Sequence, residues 1–202
     1  MKKLFVLALA ALLLTGCTVV RINTNSIDNI VNVILSKDNN LYNRVGKGYK
    51  YYVPRGVTYI DTSDLNEKLY SNGNFYYLYI DAISYYHQKE VNYNENPNLY
   101  YSSEILFKDK EGYLEISKQD NLYYIQFMYN YAKIEALVEK DKIEEVVLNA
   151  TYILSTVKFN NNVIELMLDD EYFASREEKY DIFTAKEKVD TKLNKQYLEY
   201  EE

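Results

Sequence analysis

Two tyrosine-rich stretches limit what this chain can fold into. Phe75-Tyr76-Tyr77-Leu78-Tyr79-Ile80 and Leu122-Tyr123-Tyr124-Ile125-Gln126-Phe127-Met128-Tyr129-Asn130-Tyr131 are dense in aromatic and β-branched residues, which favour strands. The period-2 alternation of a strand sends neighbouring rings to opposite faces of a sheet. In the second stretch one face receives Tyr123, Ile125, Phe127, Tyr129 and Tyr131 and is apolar throughout. The other receives Tyr124, Gln126, Met128 and Asn130 and is mixed. The 202 residues include 24 Tyr, seven Phe and no Trp, so the core uses many rings whose hydroxyls need partners. Such a chain is not disordered, and its length suits one domain.

Composition excludes several functions. The formal net charge of -7 lacks the Lys/Arg excess of a phosphate-tracking surface, so no nucleic-acid partner is expected. One Cys rules out an intrachain disulfide, and one His leaves multi-His metal sites without material. No cofactor is expected: neither G-x-x-x-x-G-K-[ST] nor G-x-G-x-x-G occurs. The hydrolase signature G-x-S-x-G is also missing.

The N-terminus reads as an address. Lys2 and Lys3 precede the apolar run Leu4 to Leu14, which is shorter than the roughly 20 residues a spanning helix needs. Leu14-Thr15-Gly16-Cys17 then resembles the lipobox of bacterial lipoproteins. The resemblance implies cleavage before Cys17 and acylation of its thiol, with the protein held at the extracytoplasmic face of the cell membrane by lipid. Two or three acyl chains, at about 0.8 kcal/mol per buried CH2, give stable anchoring. Loss of Lys2 and Lys3 leaves 21 basic against 30 acidic residues, a balance of -9, which favours a body standing off anionic lipid. The expected organisation is a signal peptide over 1–16, a lipid-anchored linker over 17–24, one α+β domain over 25–183 and a charged, weakly ordered tail over 184–202.

Within the body, Asn25-Ser26 offers caps, and Ile27, Ile30, Val31, Ile34 and Leu35 mark one helical face, predicting a helix over 26–37. Short strands are expected at 49–53 and 57–60 around Pro54-Arg55-Gly56, and a helical turn at 64–70. Asn72-Gly73 signals a tight turn before a long strand over 75–86. A polar loop over 87–98 precedes strands at 100–107 and 113–117, with turns at 109–112 and 119–121, and a run from 122 to about 138. Asp141 and Glu144 suggest a capping box for a long helix over 141–158. A short helix over 163–168 and a last strand at Tyr180 to Phe183 complete the prediction. The connections suit antiparallel hairpins, so the fold class is α+β: an antiparallel meander sheet with an N-terminal helix and a long helix packed on it. The order, and the helix ending Tyr152-Ile153-Leu154-Ser155-Thr156-Val157, resemble the PsbP-like or Mog1-like sandwich. The segment Gly48-Tyr49-Lys50-Tyr51-Tyr52-Val53-Pro54-Arg55-Gly56 is similar to segments of uncharacterised lipoproteins of low-GC Gram-positive bacteria.

Candidate chemistry is sparse. His87 reads as a candidate general base or metal ligand, or as an exposed strand-end residue. Asp169-Asp170-Glu171 and Glu177-Glu178 offer oxygen ligands, but without the spacing of a calcium loop they read as solvated acidic segments. Tyr124, Gln126 and Asn130, with His87, are the candidate ligand-binding residues, since a mixed aromatic and amide face stacks a sugar or receives a peptide. Helix cover and strand propensity account for the same rings. The expected function is a lipid-anchored, non-enzymatic binding or envelope-accessory domain. Solute or glycan binding at the Tyr/Asn face is the alternative, and a carboxylate-dependent hydrolase the third reading.

Overall fold

Ser26 opens the first helix, α1 (Ile27–Leu35), by accepting a hydrogen bond from the Asn29 amide at 3.3 Å. Its stripe of Ile30, Val31, Ile34 and Leu35 is buried against the long helix α3 (Ile143–Thr156). A helix of nine residues is marginal alone. Burial of four aliphatic side chains, at about 1.5–3 kcal/mol each, is what holds it. The computed structural model describes residues 22–24 and 26–169. Cys17 and its lipobox, Asp170, Glu171, Glu177 and Glu178, the expected strand at Tyr180 to Phe183, and the tail after Thr184 lie outside the described residues.

The fold is α+β. Seven antiparallel strands form the main sheet: β3 (Thr58–Ser63), β4 (Asn66–Ser71), β5 (Asn74–Ile80), β6 (Tyr101–Phe107), β7 (Lys110–Gln119), β8 (Leu122–Tyr129) and β9 (Ala132–Val138). Their order, β3-β4-β5-β9-β8-β7-β6, is two meanders joined by the β5–β9 pair. A small sheet pairs β1 (Arg44–Val45) and β10 (Lys158–Phe159) with a central β2 (Tyr49–Tyr51). Helix α2 (Ala82–Tyr86) follows β5, and α4 (Asn161–Asp169) follows β10. The core lies between α3 and the inner sheet face, where Leu78, Leu114, Ile125, Phe127 and Ile134 are fully buried.

Several boundaries differ from the sequence expectations. The segment expected as a helical turn at 64–70 contains strand β4, whose Glu67, Leu69 and Ser71 alternate inward. The expected long strand over 75–86 stops at Ile80, because the Asp81 side chain accepts the Ser84 amide at 2.8 Å and starts α2. The run from 122 to 138 is a hairpin whose turn, Asn130-Tyr131, has φ of 52° and 59° without a glycine. Asp141 and Glu144 form no capping box; a 3₁₀ turn at Lys140–Lys142 leads into α3, and no side chain caps it. The helix ends at Thr156 because Val157 is extended and starts the approach to β10.

Gly112, expected in a turn, lies within β7 opposite Tyr129 of β8. The turn is Lys108-Asp109. A Cβ on Gly112 would collide with the Met128 carbonyl oxygen and come within 2.9 Å of the Tyr129 Cα. Gly112→Ala is therefore expected to cost about 2–4 kcal/mol, read as a lowered urea midpoint. A loss under about 0.5 kcal/mol would mean that the two backbones separate freely.

The two sheets are joined by a buried carboxylate. Glu67 of β4 accepts the Tyr49 hydroxyl at 2.5 Å on one oxygen and the Tyr51 hydroxyl on the other. The Arg44 guanidinium bonds to Tyr51 and lies 3.6 Å from the centroid of the Tyr59 ring.

Candidate functional site

Helices seal one face of the main sheet, and alternation assigns the other. Strand pairing lines up Lys68, Tyr77, Glu135, Gln126, Glu115 and Ser102 across six strands of this outer face. The next row is Asn66, Tyr79, Lys133, Met128, Tyr113 and Glu104. Tyr124 stands between Leu137 and Ser117.

Glu135 is the centre of the polar network. Lys133 reaches its Oε1 at 2.6 Å, and the two side chains are only 14% and 10% exposed. The Gln126 amide approaches the same oxygen at 3.5 Å. Tyr124 is hydrogen-bonded to Glu135; burial, reinforced by that charge, pushes its hydroxyl well above the ordinary range. The Lys133 ammonium lies 5.2 Å from the Tyr79 ring centroid, and Lys68 lies 4.4 Å from Phe75 and 5.6 Å from Tyr77. Each cation thus shares a carboxylate or aromatic face.

The 87–100 segment covers the β6–β7 part of this face. Tyr93 stacks on Tyr113 at 4.6 Å and 8°, and its hydroxyl donates to Glu115 at 3.0 Å and contacts Ser102 at 2.7 Å. Burial is the main cause that pushes the Tyr93 hydroxyl up to about 12. The Val91 amide donates to Glu111 at 3.1 Å. The positions of this face on β4, β5, β9 and β8 that keep partial exposure are Lys68, Tyr77, Tyr79, Lys133 and Gln126, with Tyr79 packed at the Tyr113–Met128 cluster that Val91 and Tyr93 also join. Glu115 and Glu135 flank Gln126 at two strand spacings, about 9.6 Å between backbones. Both are engaged in the contacts described.

Of the four residues singled out in the sequence, Tyr124 and Gln126 share this face. Asn130 occupies the β8–β9 turn, where its amide donates to the Val157 carbonyl at 3.1 Å and ties the hairpin to the end of α3. His87 caps the C-terminus of α2, exposed, with its ring edge-on to Tyr86 at 5.4 Å. Neither joins Tyr124. Among the described residues no group of three or more His, Cys, Asp or Glu is placed to hold a metal ion. Nor is any helix among them long and apolar enough to cross a membrane.

Lys133 and Glu135 were missed as site residues. Their signal is the alternation Ala132-Lys133-Ile134-Glu135-Ala136, which becomes readable once the turn is placed at Asn130-Tyr131. No family model, curated protein or solved structure matches the chain.

Proposed function

We propose that this chain is a lipid-anchored extracytoplasmic lipoprotein whose open sheet face binds a protein of the cell envelope without catalysing a reaction. The observation that supports a binding face is the unequal treatment of the two sides of the sheet. Helices cover one, while Tyr77, Tyr79, Gln126, Lys68 and Lys133 line the other around the engaged carboxylate of Glu135. Tyr side chains of this kind supply contact area at low conformational cost. A protein partner is favoured over a sugar because sugar stacking needs free ring faces. Lys68 and Lys133 lie within 5.6 Å of the Tyr77 and Tyr79 ring centroids and occupy that space.

The anchoring half rests on Leu14-Thr15-Gly16-Cys17. Cys17→Ala is expected to abolish incorporation of labelled palmitate and release the protein from the membrane fraction; retention of both would remove the lipoprotein reading. The binding half is tested by crosslinking the full chain in envelope vesicles. The pair Tyr77→Ala and Tyr79→Ala is expected to weaken the captured complex about 30-fold, the loss typical of an aromatic anchor. An undiminished crosslink with a folded double variant would move the site elsewhere.

A further inference from the structure

The main sheet ends at β6, and the backbone of this edge strand follows a definite alternation. Because the two-residue turn Lys108-Asp109 joins it to β7, Phe107 and Lys110 form a hydrogen-bonded pair. Counting back in twos, Ile105, Ser103 and Tyr101 also turn their N–H and C=O groups toward β7. Ser102, Glu104 and Leu106 therefore turn theirs outward. The structure bears this out at one position: the Glu104 amide donates not to β7 but to the Glu95 carboxylate, at 3.1 Å.

Beside this edge runs a groove between β6 and α1. Its floor is the buried edge of Val31 and Leu35 of α1 and Ile105 of β6, and its exposed lining is mainly polar, with Asp28, Asn32 and Glu104 forming an acidic rim. Asp28 is held in place by the Tyr101 hydroxyl at 2.6 Å. Leu106, 66% exposed, stands at its open side. The groove has the two parts that strand addition uses: outward-facing backbone groups for a ladder, with the Glu104 amide held by Glu95 and its carbonyl accepting from the Ser103 hydroxyl at 3.2 Å, and alternating side-chain sites for selection.

We propose that an extended segment of a partner protein, alternating basic and apolar residues, binds as an eighth strand along β6 in this groove. In that arrangement a Lys or Arg of the segment lies opposite Glu104 on the outer sheet face. The residues before and after it turn to the other face and meet Val31, Leu35 and Ile105. The acidic rim and the net charge of -7 select the basic partner. A second copy of this chain is the wrong occupant. Antiparallel pairing of two β6 strands about their middle residue sets Glu104 directly against Glu104, and like charges in that position repel. Glu95 holds the Glu104 amide at the place where a carbonyl of the added strand would accept it. Its carboxylate is the group the incoming segment displaces, and it keeps the edge from pairing indiscriminately in the meantime.

The test uses the full chain and two capped heptapeptide probes, one alternating Val and Lys and one alternating Val and Glu. The Val/Lys probe is expected to bind at least about tenfold more tightly, and to slow hydrogen exchange at the Ser102, Glu104 and Leu106 amides. Glu104→Lys is expected to remove or invert the preference. Leu106→Pro deletes an outward-facing amide while sparing the β6–β7 ladder, a position where an edge strand tolerates proline, and is expected to abolish binding. The proposal is overturned if neither probe binds, if binding ignores charge, if the three amides stay unprotected, or if folded Leu106→Pro binds normally. It is likewise overturned if sedimentation shows a dimer that Leu106→Pro dissolves. Should Leu106→Pro fail to fold, the exchange pattern and Glu104→Lys decide the matter.

Discussion

Raising the pH from 10 to 12 is expected to unfold this protein cooperatively, with tyrosine ionisation and loss of the sheet occurring together. Tyr49, Tyr51, Tyr76, Tyr113 and Tyr124 are buried, and burial is the leading cause that lifts each hydroxyl above its ordinary range. For Tyr76 the value is pushed up to about 12. In the unfolded chain these groups ionise near pH 10, whereas in the folded chain they keep their protons. Above pH 10 the unfolded state therefore binds fewer protons, and stability falls as pH rises. Below pH 10 the five contributions are fully present. Each group ionised only in the unfolded state removes about 1.4 kcal/mol per pH unit, and the five together about 7 kcal/mol per unit. Against a typical total of about 5–15 kcal/mol, one to two pH units suffice. The measurement pairs phenolate absorbance with far-ultraviolet circular dichroism across the titration. Smooth ionisation of these five rings around pH 10 with the dichroism unchanged would contradict the burial on which the expectation rests.

Glu67→Ala is expected to cost about 3–5 kcal/mol, because it strips the acceptor from two buried donors at once. Glu67 is 3% exposed, and Tyr49 and Tyr51 both donate to it. Arg44 has little else to turn to: its Nε is buried without a hydrogen-bond partner, and its guanidinium rests on Tyr51 and the Tyr59 ring. Losing Glu67 leaves these groups facing one another without the charge that organises them. Glu67→Gln, which keeps the shape and one accepting oxygen, is expected to lose about half as much. Tyr49→Phe and Glu67→Ala together should cost less than the sum of the two alone, since both remove the same bond. Urea midpoints of the four proteins complete the cycle, and strict additivity, or a loss under about 1 kcal/mol for Glu67→Ala, would show that the cluster holds nothing together.

Much of this architecture could be read from residue order. The stripe from Ile27 to Leu35 located α1, the stripe from Ile143 to Val157 located α3, and Asn72-Gly73 located a hairpin turn whose two φ angles are 48° and 86°. The errors arose where the deciding contact is distant or the local signal is shared by two structures. Tyr131 looks like a strand residue, yet it adopts a left-handed backbone. Its ring packs edge-on to Tyr85 at 5.6 Å, and Asn130 before it is tied to Val157. Glu67 looked helical because its value depends on Tyr49 and Tyr51, which lie 18 and 16 residues earlier in the chain. Of the open face, Tyr124 and Gln126 followed from alternation alone. Lys133 and Glu135 did not, since reading 122–138 as one run without the Asn130-Tyr131 turn reverses the face of every residue after it.

The β5–β9 pair has a consequence for how the chain assembles. Strands β3 to β5 and strands β6 to β9 each consist of neighbours in sequence linked by tight turns, and such arrays close quickly. Only the register of Ile80 against Ala132 and Tyr77 against Glu135 brings the arrays together across a long stretch of chain. Within the main sheet that step closes the longest loop, and lengthening the intervening 87–100 segment would change its cost slowly, by about 0.6 kcal/mol for each doubling of the closed loop. The joint is the long-range seam of the main sheet, and Tyr77 and Glu135 face one another there only once the two halves have met.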